Sequence, residues 1–186
     1  MTSISQERIT LKNLKVAEFA SEGTLCFSAT VLLDGEPIAV ASNDGRGGMT
    51  LILPRDGKRP KLLEAEKFAA SLPPDVTEFD DPQDRSKRLT IEITLDYLVD
   101  DLANTMHSDK KIRTAFNRDI SNKVLFVKDG KLLFLKGVML KGIPDRAAYF
   151  ANLRARQGQS ITILAELAPD EAFSLWKQHT ITGGSQ

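Results

Sequence analysis

Cysteine is nearly absent from this chain, with Cys26 the single thiol among 186 residues. That excludes an internal disulfide and a cysteine-rich zinc site. Histidine is scarce too: His107 and His179 stand far apart, and no third zinc ligand is evident, so no metal site is expected. No stretch approaches the roughly 18 consecutive apolar residues of a membrane helix, and no membrane partner is expected. Net charge is lacking as well, 25 basic side chains facing 25 acidic ones, which argues against a whole-molecule basic footprint of the histone kind. The opening residues, Met1 to Arg8, are polar and carry no apolar run of the secretory type. The expected compartment is the cytoplasm.

What is present is ample apolar mass, 41% of residues, enough for a real core and too much for a disordered chain. Leu25, Phe27, Ala29, Val31 and Leu33 alternate with small or polar residues, a strand with one buried face. Asp34-Gly35 marks a two-residue hairpin turn into a returning strand that holds Ile38 and Val40. An earlier strand runs from Ile9 through Phe19 with a phase slip at Asn13-Leu14 that reads as a bulge, and Met49 to Leu53 forms a further short strand. Pro60 opens a helix with Leu62, Ala65, Ala69 and Leu72 on one face, stopped by Pro73-Pro74. The charged stretch from Asp75 to Arg88 reads as a long exposed loop. Thr94 caps a helix with a stripe of Leu95, Leu98, Val99, Leu102 and Met106, and Ser108-Asp109 separates it from a shorter helix with Ile112, Ala115 and Phe116.

A second hairpin turns at Asp129-Gly130 and pairs Phe126 with Leu133 and Leu125 with Phe134; both faces are apolar, so it is expected at the centre of the core. Pro144 begins another helix, ended by Gly158, and Ser160 to Leu167 reads as a strand. Pro169-Asp170-Glu171 opens a last helix anchored by Ala172, Phe173 and Trp176. The expected class is α+β: an antiparallel N-terminal meander, a central hairpin and four to five helices packed on the sheet. It forms one domain over 1–182, with a sub-division near 74–90 as the alternative and residues 183–186 as a disordered tail.

Two places attract attention as sites. In the loop from Ser42, the residues Asn43, Asp44, Gly45, Arg46, Gly47 and Gly48 bring glycines close together. Converging backbone N–H groups would bind an anion there, with Arg46 adding a charge-assisted bond to a phosphate. The spacing matches neither a P-loop nor a dinucleotide turn. The competing and weightier reading is a wide turn in which Asn43 and Asp44 bond the local backbone. Residues 110–141 carry nine basic against two acidic side chains, whereas 64–101 carry eleven acidic against four basic. Lys110, Lys111, Arg113, Arg118, Lys123 and Lys136 are therefore candidates for a nucleic-acid backbone. Cross-strand pairing sets Lys128 beside Lys131 and Lys123 beside Lys136, and Phe134 is expected buried, so an exposed stacking platform is missing.

Three segments resemble those of a group of uncharacterised small bacterial and phage or prophage proteins: Ser21 to Ala29, the "SNDGRGG" loop at 42–48, and "KVLF" at 123–126. The resemblance spans most of the chain and implies a mobile-element or accessory setting. No established activity of that group transfers a catalytic role. No nucleophile with its base and no cofactor motif is found, so no cofactor is expected. The function expected is that of a non-catalytic cytoplasmic binding protein, monomeric or a small homo-oligomer, acting through a protein partner. The alternative is phosphate, nucleotide or nucleic-acid binding through loop 42–48 and the basic segment.

Overall fold

Two Asp-Gly turns fix the strand pairing in each half of the chain. Asp34 and Gly35 adopt φ of 49° and 82°, and Asp129 and Gly130 adopt 49° and 69°. Positive φ at both central residues is the twist that matches two antiparallel strands, and Asp-Gly tolerates it. The structure, a computed structural model, describes residues 4–158 and 160–181; the expected tail at 183–186 lies outside them. The chain divides into two compact units, Met1–Ser108 and Asp109–Gln186. That boundary, rather than the 74–90 stretch, is where the contacts divide.

In the first unit β1 (Ile9–Val16), β2 (Phe27–Leu33), β3 (Glu36–Asn43) and β4 (Leu51–Pro54) form a four-stranded antiparallel meander in chain order. The expected bulge is present: the β1–β2 register shifts between Lys12 and Lys15, and Asn13 takes φ of 54°. The inner face buries Ile9, Leu11, Phe27, Ala29, Val31, Leu33, Ala39 and Ala41. Against it pack α1 (Arg59–Ala70) through Leu62, Ala65 and Ala69, and the first half of α2 (Leu95–Asn122) through Leu95, Leu98, Val99 and Ala103. Of the rest of the expected stripe, Leu102 packs half-buried against this core and Met106 is exposed, while Ala103 is fully buried. The stretch expected as a loop from 75 to 88 instead contributes β5 (Asp75–Asp80), paired antiparallel with β6 (Arg88–Ile91). Val76 and Phe79 are both exposed and the register shifts between Val76 and Asp80, so no period-two stripe announces the ribbon; its ladder is accompanied by the Arg88–Asp80 ion pair at 2.6 Å.

The expected break at Ser108-Asp109 is absent, and α2 runs unbroken from Leu95 to Asn122. Ser and Asp cost a helix only a few tenths of a kcal/mol each, less than the anchors on either side supply. In the second unit β7 (Leu125–Lys128) lies between β8 (Lys131–Phe134) and the two-residue β9 (Thr162–Ile163), all antiparallel. The expected pairs Phe126–Leu133 and Leu125–Phe134 form. β7 is covered on both faces: Val124 and Phe126 join Leu140, Phe150, Leu153, Ile161 and Ile163, while Leu125 joins Phe116, Leu164, Ala172 and Trp176. β8 is an edge strand, and Phe134, expected in the core, is 56% exposed beneath the Lys123 ammonium. The strand expected over 160–167 shrinks to β9 and a single 3-10 turn, Leu164–Glu166. α3 (Arg146–Gln157) starts after Asp145, whose carboxylate accepts from the Ala148 N–H, and ends at Gly158; α4 (Pro169–Ile181) follows. Among the described residues no helix is long and apolar enough to cross a membrane.

Leu98→Ala is expected to cost about 2–5 kcal/mol in urea unfolding, because Leu98 is fully buried between helix and sheet. Phe19→Ala, at a residue 93% exposed, should stay within about 0.5 kcal/mol. A comparable loss for both would show that the first unit is packed otherwise.

Candidate functional site

The glycine loop is built around one side chain. Asn43 ends β3 and is buried. Its Oδ1 accepts from the Thr24 hydroxyl at 2.8 Å and the Gly45 N–H at 2.9 Å, and its Nδ2 donates to the Gly48 carbonyl and the Thr50 hydroxyl, each at 3.0 Å. Gly45 adopts φ of 85°, and its carbonyl accepts from the N–H groups of Glu22, Gly23 and Thr24 at 2.9, 2.8 and 3.2 Å. A Cβ there would lie 2.1 Å from the Ala20 carbonyl oxygen and 2.8 Å from Cys26 Cβ. The Gly45 backbone thus ties the loop to segment 20–26.

That architecture decides what the loop can bind. The N–H of Gly45 goes to Asn43 Oδ1, that of Arg46 to Asp44 Oδ1 at 3.1 Å, and that of Gly47 to Thr24 Oγ1 at 3.3 Å. Three successive donors that would cradle a phosphate are instead taken by the side chains of Asn43, Asp44 and Thr24. Asp44 and the Arg46 side chain point into solvent, and Arg46 has no ion partner among the described residues. The geometry is that of a pinned turn.

α2 holds this turn from behind at two positions two helical turns apart. The Thr50 hydroxyl donates to Asp100, and His107 Nε2 lies 3.2 Å from a Glu18 carboxylate oxygen. Asp100 is half-buried, and desolvation pushes its carboxyl above the ordinary aspartate value against the opposing effect of the Thr50 bond. Cys26 sits on the small-residue side, half-buried, its N–H donating to the Ser21 hydroxyl. Among the described residues no three His, Cys, Asp or Glu side chains converge as metal ligands would.

The basic candidates lie in the second unit, and carboxylates answer several of them. The Arg113 guanidinium stacks 3.8 Å from the Phe173 ring centre and is 3.5 Å from Asp170. Lys123 and Arg118 share Asp119, at 2.9 and 3.9 Å. Lys123, expected beside Lys136, is turned to that carboxylate and to Phe134 instead. Lys110 and Lys111 are exposed on α2, and Lys136 is exposed after β8.

Sequence reasoning missed the outer face of the first sheet. The register aligns Lys12, Thr30, Val40 and Leu53 in one cross-strand row, and Lys15, Ser28, Ser42 and Leu51 in the next. Polarity falls along both rows from β1 to β4. Val40, Leu51 and Leu53 are exposed, as are Phe19 at 93% and Met49 at 83% on the two segments that the Gly45 backbone and Asn43 lace together. Ile38 and Val40, two residues apart in the returning strand, differ in burial: a register shift at Val31/Leu32 absorbs one residue, with Ile38 buried and Val40 exposed. β4 is an edge with no fifth strand among the described residues.

No family model matches the chain, and no curated protein or solved structure matches it.

Gly45→Ala should lower stability by about 2–4 kcal/mol, combining a positive φ with a backbone clash, whereas Gly48→Ala, with open space around it, should stay within about 0.5 kcal/mol. Thermal unfolding of both variants checks the order. A second measurement concerns pH. A carboxyl whose folded pKa is raised binds more protons folded than unfolded, so its contribution is most favourable at low pH and is lost as pH rises through the folded value. Relative to the wild type, Asp100→Asn should therefore gain in Tm from pH 4 to pH 7. A constant difference across that range would count against a desolvated carboxylate at 100.

Proposed function

We propose that the protein is a non-catalytic binding module that acts in the cytoplasm through a protein partner, in the accessory setting that its resemblance to phage-associated proteins implies. The observation that carries this reading is the polarity gradient across the outer sheet face. Both rows begin at lysine on β1 and end at leucine on β4, an edge to which no further strand is added among the described residues. An extended partner segment adding to β4 would make main-chain bonds to that edge and lay alternate apolar side chains against Leu51, Leu53 and Val40. Phe19 and Met49 are further exposed apolar side chains, and the hydrogen bonds around Asn43 and Gly45 tie the segments that carry them, which lowers the entropic cost of any association that uses them. The satisfied N–H groups of the glycine loop weigh against the anion-binding alternative there.

A photo-crosslinking side chain installed at position 53 should capture one partner protein, and the same side chain at position 12, the polar end of the row, should not. Once the partner is identified, Leu51→Lys combined with Leu53→Lys should weaken its binding at least about tenfold, the equivalent of losing one buried leucine contact, with Tm within a few degrees of the wild type. Equal capture at 12 and 53, adducts solely with a second copy, or unchanged affinity in the double variant would overturn the proposal.

A further inference from the structure

The second unit contains a cleft that none of the sequence motifs announces. One wall is a face of α3, where Tyr149, Asn152, Leu153, Arg156 and Gln157 recur at helical spacing. The facing wall is the turn after β8, Leu135, Lys136 and Val138, closed by the Val138 N–H donating to the Leu135 carbonyl at 3.4 Å. Together they enclose about 330 Å³, at the lower end of the range for small-ligand pockets.

The chemistry of the walls is one-sided. Leu153 is buried and Leu135 and Val138 are half-buried, which gives each wall an apolar part. Lys136 and Arg156 stand on opposite walls as exposed cations, and neither has a carboxylate partner among the described residues. Among the described residues no acidic side chain lines the cleft. Arg154, two residues before Arg156, behaves differently: it is paired with Glu166 outside the cleft. The Gln157 carboxamide oxygen accepts from the Lys128 ammonium at 3.4 Å, which places a third cation behind that wall and leaves the amide N–H groups as donors. Asn152 adds a donor and an acceptor midway along the helical wall, and Tyr149 an aromatic ring.

We propose that this cleft binds a small phosphate monoester with a planar ring, of the chemical class of a nucleoside 5′-monophosphate. Two opposed cations match a dianionic phosphate, with the guanidinium supplying a two-pronged donor set. The apolar parts of the walls and the Tyr149 ring take the planar body, and the carboxamides of Asn152 and Gln157 address its polar edge. The site lies wholly in the second unit and does not depend on the sheet face of the first.

Titration calorimetry of the full chain at low salt is the test, with AMP, adenosine and inorganic phosphate as probes. AMP should bind with a Kd of about 1 mM or tighter and raise the Tm, and both adenosine and phosphate should bind at least about tenfold more weakly. Lys136→Ala and Arg156→Ala should each weaken AMP binding about tenfold, while Lys110→Ala, at an exposed lysine outside the cleft, should leave it unchanged. Thermal melts establish that the variants fold. Absence of AMP binding at millimolar concentration, equal binding of adenosine, equal binding of inorganic phosphate, or equal effects of Lys110→Ala and Arg156→Ala would each overturn the assignment. A 5′-phosphorylated oligonucleotide that binds far more tightly than AMP would overturn the small-molecule class in favour of a nucleic-acid end.

Discussion

The buried carboxamide of Asn43 is the constraint on which the first unit's surface depends. Removing such a group from water is costly unless its donors and acceptor are engaged. Here all are used, and each bond reaches a different piece of chain: Thr24 before β2, Gly45 and Gly48 within the loop, and Thr50 before β4. An aspartate could not substitute, since it would bring no N–H donors for the Gly48 carbonyl and the Thr50 hydroxyl. Through Thr50 the network continues to Asp100, so the helix that fills the core also fixes the loop. Order at Phe19 and Met49 follows from polar bonding beneath them, not from burial of their own side chains.

Much of this fold was legible. Alternation in β2, the Asp-Gly turns, the bulge at Asn13 and the helix starts at Pro60 and Pro169 are local signals, and local signals survive into the structure. What failed was decided by neighbours. Phe134 reads as core by composition, yet its strand ends at a sheet edge, and edge position is a property of topology. Ser108-Asp109 reads as a stop, yet Ala103 on one side and Phe116 on the other are both buried and hold the helix through it. At the candidate site, the glycines, Asn43 and Asp44 were correctly legible as turn-forming residues. The cleft was not, because its walls, Leu135 to Val138 and Tyr149 to Gln157, are separated by the 3-10 turn Leu140–Gly142 and the start of α3 and share no motif spacing.

Charge runs along a sequence overstate the field they produce in space. The acidic stretch from 64 to 101 answers itself through the Arg88–Asp80 and Lys87–Asp84 pairs and through the Tyr97 hydroxyl on Asp75. Arg8 is shared by Asp34, 26 residues away in sequence, and Glu64, 56 residues away. In the basic stretch Arg113, Arg118 and Lys123 are similarly met by carboxylates, and exposed pairs of this kind contribute little to stability. Lys136 and Arg156 differ in position more than in charge: each borders a concavity that no acid lines among the described residues. A cation in that setting is set apart by geometry, which a count along the chain does not detect.

The outer face of the meander presents the converse problem, apolar groups where water is available. Strand formation alone does not demand them, because Thr30, Ser28 and Ser42 occupy the same face in the same strands and pair equally well. Core packing does not demand them either, since the inner face is already filled from Ile9 to Ala41. Natural edges are ordinarily blunted by charge, brevity or proline. β4 is short and ends in Pro54, yet the two outward side chains nearest its free edge are leucines, while lysines guard the opposite edge on β1. One edge of this sheet thus carries the charge that ordinarily discourages association and the other does not, and it is on this asymmetry that the proposed partner interaction rests.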